Sequence, residues 1–157
     1  DPFLVGLLSS LEGFGAFAGA LVVAVFARPE SFARIFLWGC AGYLGVVFYL
    51  GILAYVAGGP YHSFIATSMT LTVGGLFGAG FATMQSTLTY TNAPLEFRSR
   101  VFGVLALCIG TGPIGFINVG WMAETFSLPT ALLIMSLEGL FVMLVLWVYD
   151  ALSRDSA

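Results

Sequence analysis

Apolar residues run along this chain in long unbroken stretches, with polar residues gathered at the breaks between them. The first stretch, about residues 3–27, holds one ionisable residue, Glu12. Arg28, Pro29, Glu30, Ser31 and Arg34 then interrupt it with charge and a proline, as a short loop does. A second stretch covers about residues 35–57. Between Arg34 and Glu96 no formally charged residue occurs when His62 is neutral, a distance too long for one helix and suited to two. Gly58, Gly59 and Pro60 punctuate it, which places a third span at about 63–89, ending ahead of Pro94 because proline disfavours helical backbone in the residue before it. A fourth span follows at about 101–122. Glu124 to Ser127 breaks the pattern again, and Pro129 stands near the next helix start, where its missing amide proton costs little. The fifth span is about 129–149. At about 1.5 Å rise per residue, roughly 18 apolar residues cross a hydrocarbon core about 30 Å thick. The pattern predicts an all-α, polytopic membrane bundle of about five transmembrane helices over residues 1–152, with a short polar tail at 153–157.

Composition sharpens this reading. Of 157 residues, 59% are hydrophobic and 8% charged, against about 25% charged in soluble domains. So little charge could not cover a water-facing surface. There is no lysine and the net charge is -3, which excludes a nucleic-acid footprint and a polybasic lipid-binding segment. Cys40 and Cys108 lie in apolar segments without metal-site or disulfide-framework spacing, so both read as packing residues, and no cofactor or metal is expected. Trp38, Tyr61, Trp121, Trp147 and Tyr149 lie near span ends, as an aromatic belt does, and His62 reads as an interfacial loop residue. The chain opens on Asp1 without methionine, and its first stretch is too long and lacks the basic flank of a signal peptide, so it reads as a mature span within a fragment.

Arginine placement tests the spans. Arg28 and Arg34 fall in the first connection, Arg98 and Arg100 in the third, and Arg154 after the last span, with none in the second or fourth. Arginine is retained on the cytoplasmic side during insertion. The three arginine-bearing regions are therefore expected in the cytoplasm, with Asp1 outside and the C-terminal tail inside.

Packing faces follow from the 20 glycines, because membrane helices associate through close approach at small residues. Gly15 and Gly19 share a helical face with Glu12 and Ser9, so Glu12 is expected to face protein. In the third span Gly74, Gly78, Ala82, Gln85 and Thr89 form one stripe, widened by Gly75, Ala79, Thr83 and Ser86. Val73, Phe77, Phe81, Met84 and Leu88 form a bulky stripe expected to meet lipid. Gln85 admits two readings, an interhelical hydrogen bond of about 1 kcal/mol or contact with a substrate. In the fourth span Thr111, Gly115 and Asn118 share a face, and Pro113 is expected to kink the helix by removing a backbone hydrogen bond. Glu12 and Glu138 lie inside spans, where an ionised carboxylate costs on the order of 2.5 to 3.5 kcal/mol. No span offers a lysine or arginine to pair with them. Each reads either as a proton carrier or as a neutral acid bonded to a carbonyl or hydroxyl. No catalytic constellation is present in the spans, so an enzyme is not expected. A non-transporting membrane scaffold remains the alternative to a transporter.

The segment Pro94, Leu95, Glu96, Phe97, Arg98, Ser99, Arg100, Val101, followed by Gly112, Pro113, Ile114, Gly115 and by Gly120, Trp121, Met122, Ala123, Glu124, resembles the loop between helices ten and eleven, and helix eleven, of the major facilitator superfamily. It is most similar to the bacterial exporter branch that includes the enterobactin exporters. Glu12, Gly13, Phe14, Gly15, Ala16, Gly19 and Ala20 resemble helix eight of that branch. The resemblance implies that the five spans are helices eight to twelve of a C-terminal half, whose N-terminal partner half is missing here. It implies a permease of the bacterial cytoplasmic (inner) membrane, exporting a small organic molecule as a proton antiporter. Gln85, Thr83 and Asn118 would line the substrate cavity, Glu12 and Glu138 would be the proton-coupling candidates, and Arg28, Arg34, Arg98 and Arg100 would mark a cytoplasmic gate. Gly15, Gly19, Gly74, Gly78, Pro113 and Gly115 would pack or kink helices. Ser99 stands where the family's loop has glycine between its arginines, and the first connection lacks the family's acidic partner.

Overall fold

The computed structural model describes residues 2–56 and 60–155, with the backbone alone at 60–63 and 150–155. The spans predicted from the apolar stretches are helices. They are α1 (Pro2–Phe26), a 3-10 turn (Pro29–Ser31), α2 (Phe32–Val56), α3 (Pro60–Asn92), α4 (Arg98–Gly110), α5 (Gly112–Thr125) and α6 (Leu128–Asp155). Counting α4 and α5 as one broken span, five are long and apolar enough to cross a membrane. The protein is an all-α bundle with no strand among the described residues.

Local chemistry sets the boundaries. At the first turn Ser31 Oγ donates to the Arg28 carbonyl at 2.8 Å while the Arg28 amide donates to Ser31 Oγ at 2.9 Å. This reciprocal pair satisfies groups a helix start leaves orphaned. Pro113 supplies no amide to the ladder, and the fourth span breaks at Thr111, whose hydroxyl donates to the Cys108 carbonyl at 2.6 Å. The predicted kink is therefore a division into two helices. Pro129 occupies the second position of α6, as its tolerance for helix starts requires. α6 continues to Asp155, so most of the segment read as a tail from Ser153 is helical. The punctuating Gly58 and Gly59, the His62 side chain and the Arg154 side chain lie outside the described features.

The helices form an open series in which α3 lies between α1 and α2, α2 lies between α3 and α6, and α5 packs on α6. Among the described residues α1 and α2 do not touch, nor do α3 and α5. Directions follow from register. Gly15 lies against Thr72 and Gly19 against Leu76, so α1 and α3 run parallel. Gly39 meets Phe81 while Val46 meets Gly74, so α2 and α3 are antiparallel. Gly51 meets Leu133 and Gly139 meets Leu44, so α2 and α6 are antiparallel as well. A hydroxyl–hydroxyl bond between Tyr55 and Thr130 ties those two helices near the end away from the arginines.

The interior is thin. Among the described residues the buried hydrophobic ones are Met84, Ala93, Met122 and Ala131. Glycine contacts hold the seams instead, as expected where the surrounding solvent is as apolar as the side chains. A methyl group on Gly19 would lie 2.6 Å from the Leu76 carbonyl oxygen, and one on Gly15 or Gly75 would overlap the carbonyl of Thr72 or Glu12. One expectation is overturned. The bulky stripe of α3 does not face lipid as a whole, since Phe77 sits over Gly42, Phe81 lies by Gly39, and Met84 is 2% exposed. Gly42 of α2 leaves a hole for the Phe77 ring, while Gly39 lets the α3 backbone at Phe81 come close and the Phe81 ring leans on Tyr43. A methyl group on Gly74 would lie 3.0 Å from the Val46 side chain, and one on Gly78 would lie 3.5 Å from the Tyr43 ring, a contact ordinary enough to be accepted.

Candidate functional site

Where α1 and α3 lie backbone to backbone, α1 does not reach α2, and an open cavity of about 470 Å³ remains between the three helices. Ser9, Glu12 and Ala16 line it from α1, Gly75 and Gly78 from α3, and Tyr43 from α2. The close approach of Gly75 to the Glu12 carbonyl fixes the height of Glu12 in the seam. Glu12 is half-buried, as its shared face with Gly15 and Gly19 predicted. Tyr43 leans on Phe81 with ring centroids 5.9 Å apart and planes at 58°. A carboxyl, a phenol and a serine hydroxyl thus border one space in mid-span. Such a cluster can hold or pass a proton, because water entering the cavity lowers the penalty for ionising the acid.

The other sequence candidates are not gathered at this cavity. Gln85 is half-buried and Thr83 exposed on α3, and position 85 lies about 15 Å along the axis from position 75 at the usual rise. Their carbonyls accept from Thr89 Oγ1 at 2.7 Å and Thr87 Oγ1 at 2.8 Å. The Thr87 and Thr89 hydroxyls are thus partnered within the helix. Asn118 is exposed on α5, which does not touch α3. Glu138 is exposed on α6, which does not touch α1, so the two acids belong to separate surfaces. Gly115 meets nothing within 4 Å and has no packing role among the described residues.

Helix directions bring the four described arginines to one end of the bundle. The Arg98 guanidinium carbon stands 3.9 Å from the Tyr90 ring centroid, with its buried Nε lacking a hydrogen-bond partner, and that of Arg100 stands 5.8 Å from the Phe97 ring centroid. Such cation–aromatic contacts hold helix ends. Among the described residues no cluster of histidine, cysteine or acidic groups has the makings of a metal site.

Tyr43 is the site residue that sequence reasoning missed. Its signal is position: it lies deep within α2, unlike the belt aromatics at span ends, and a phenol at that depth needs a partner. No family model, curated protein or solved structure matches this chain.

Proposed function

We propose that this chain is most of the C-terminal half of a secondary active transporter that exports a small organic molecule in exchange for protons. The carrying observation is the placement of Glu12: a lone acid in mid-span, on a seam of touching backbones, opening into a cavity shared with Tyr43 and Ser9. A carboxyl there is costly to ionise when dry and cheaper when wet. Alternating access would open that cavity to each side of the membrane in turn, so a proton taken up at Glu12 from one side would be released to the other. The resemblance of the Pro94–Val101 and Gly112–Gly115 segments to the major facilitator exporters supports the same reading, with the arginine end in the bacterial cytoplasm. The glycine-locked pair α1 and α3 would move as one body, since neither helix can shift without separating backbones in contact.

The test uses the full-length protein in proteoliposomes with an imposed proton gradient. Glu12→Gln is expected to abolish gradient-driven export while leaving substrate exchange at equal concentrations intact. Glu138→Gln, outside the cavity, is expected to leave both unchanged. Undiminished gradient-driven export by Glu12→Gln would sink the coupling role.

A further inference from the structure

Arg34 opens on two apolar grooves, one on each flank of α2. The first, about 500 Å³, lies between α2 and α6 and is lined by Leu37, Ala41, Leu140, Met143 and Leu144, with Trp38 and Trp147 at its sides. The second, about 420 Å³, lies where α1 and α2 fail to meet, with α3 beneath it, and is lined by Val22, Val23, Ile35 and Leu76. Arg34 and Trp38 border both. Each groove falls within the volume range of small-molecule sites, about 300 to 1,000 Å³. Arg98 and Arg100 are turned onto aromatic rings, whereas Arg34 is exposed and forms no ion pair with a described residue.

We infer that an anionic diacyl phospholipid binds here, its phosphate on the Arg34 guanidinium and its two acyl chains in the two grooves astride α2. Three features select this ligand. A guanidinium pairs with phosphate oxygens through two parallel charge-assisted bonds. Two separate apolar channels leave a single cation, which is the shape of one headgroup with two chains. The indoles of Trp38 and Trp147 flank the α2/α6 groove at the arginine end, the depth at which tryptophan meets headgroups. Basic pockets between membrane helices recognise phospholipid headgroups by the same chemistry.

Native mass spectrometry of the full-length protein in detergent, with phosphatidylglycerol added, provides the test. Wild type is expected to retain one phosphatidylglycerol in preference to phosphatidylcholine and to its single-chain lyso form, and inorganic phosphate is expected not to displace it. Arg34→Gln, at an exposed position, is expected to cut retention about tenfold, the effect of losing a charge-assisted bond. Arg28→Gln, at the same end of the bundle but lining neither groove, is expected to leave retention unchanged. Ala41→Phe, which fills the α2/α6 groove with Arg34 in place, is expected to reduce diacyl binding towards the lyso level. Equal retention by Arg34→Gln and wild type overturns the site. Equal losses in Arg28→Gln and Arg34→Gln also overturn it, because binding would then follow surface charge alone. Full diacyl retention by Ala41→Phe, or displacement by phosphate, removes the assigned chain placement.

Discussion

Gly15 and Gly115 sit in similar apolar surroundings by sequence, and the fold separates them completely. A methyl group on Gly15 overlaps the Thr72 carbonyl, and one on Gly75 overlaps that of Glu12, whereas one on Gly115 meets nothing within 4 Å. Backbone cannot yield as a side-chain tip can. Gly15→Ala and Gly75→Ala are therefore expected to destabilise the bundle by about 1 to 3 kcal/mol, the usual cost of overpacking. Gly115→Ala is expected to be neutral or to stabilise by up to about 1 kcal/mol through helix propensity. Reversible unfolding in mixed detergent micelles measures all three, and equal losses would show that the seam contacts do not govern stability. Spacing revealed that Gly15 and Gly19 share the face of Glu12, but it could not reveal whether a face is covered. The same spacing rule treats Gly15 and Gly115 alike, and only the neighbouring helix distinguishes them.

Among the helices, the apolar stretches and prolines were readable to within a few residues, because hydrocarbon thickness and proline chemistry act locally. The start of α4 at Arg98 and of α2 at Phe32, earlier than the predicted 101 and 35, shows charged residues completing helix ends beyond the apolar run. The bulky stripe of α3 was misread for a different reason. Large residues face lipid only when the neighbour has no holes, and Gly42 on α2 makes a hole for the Phe77 ring while Gly39 admits the α3 backbone at Phe81. That complementarity exists between helices and is invisible within one. Pro113 remains a local matter and can be tested as such. Spin labels at Val104 and Trp121, both exposed, would stand about 25 Å apart in a straight helix. Pro113→Ala is expected to move the measured distance towards that value by restoring an amide at the break. An unchanged distribution would assign the break to Thr111 and its bond to Cys108 instead.

For the molecule as a whole, the parallel register of α1 and α3 carries more than either helix does alone. Two parallel helices with one antiparallel span between them in sequence require α1 and α3 to begin at the same end, so the Arg28–Arg34 and Arg98–Arg100 connections share the opposite end. Arginine asymmetry and helix packing reach this arrangement by unrelated physics, one through insertion and the other through backbone contact. What the sequence could not supply was the separation of Gln85, Asn118 and Glu12, since nothing in a single span says that α3 and α5 fail to touch. The shared arginine end makes a labelling prediction. In a background with Cys40 and Cys108 replaced by serine, a cysteine at Ser31 or Glu96 is expected to react with an impermeant maleimide only after cells are permeabilised. A cysteine at Ser127, in the turn between α5 and α6, is expected to react in intact cells. Reaction of positions 31 and 96 from opposite sides would break the span assignment itself. Reaction of both from outside, with position 127 protected, would keep the helix series intact while inverting the proposed orientation, and proton entry to the Glu12 cavity would then have to be redrawn from the other face.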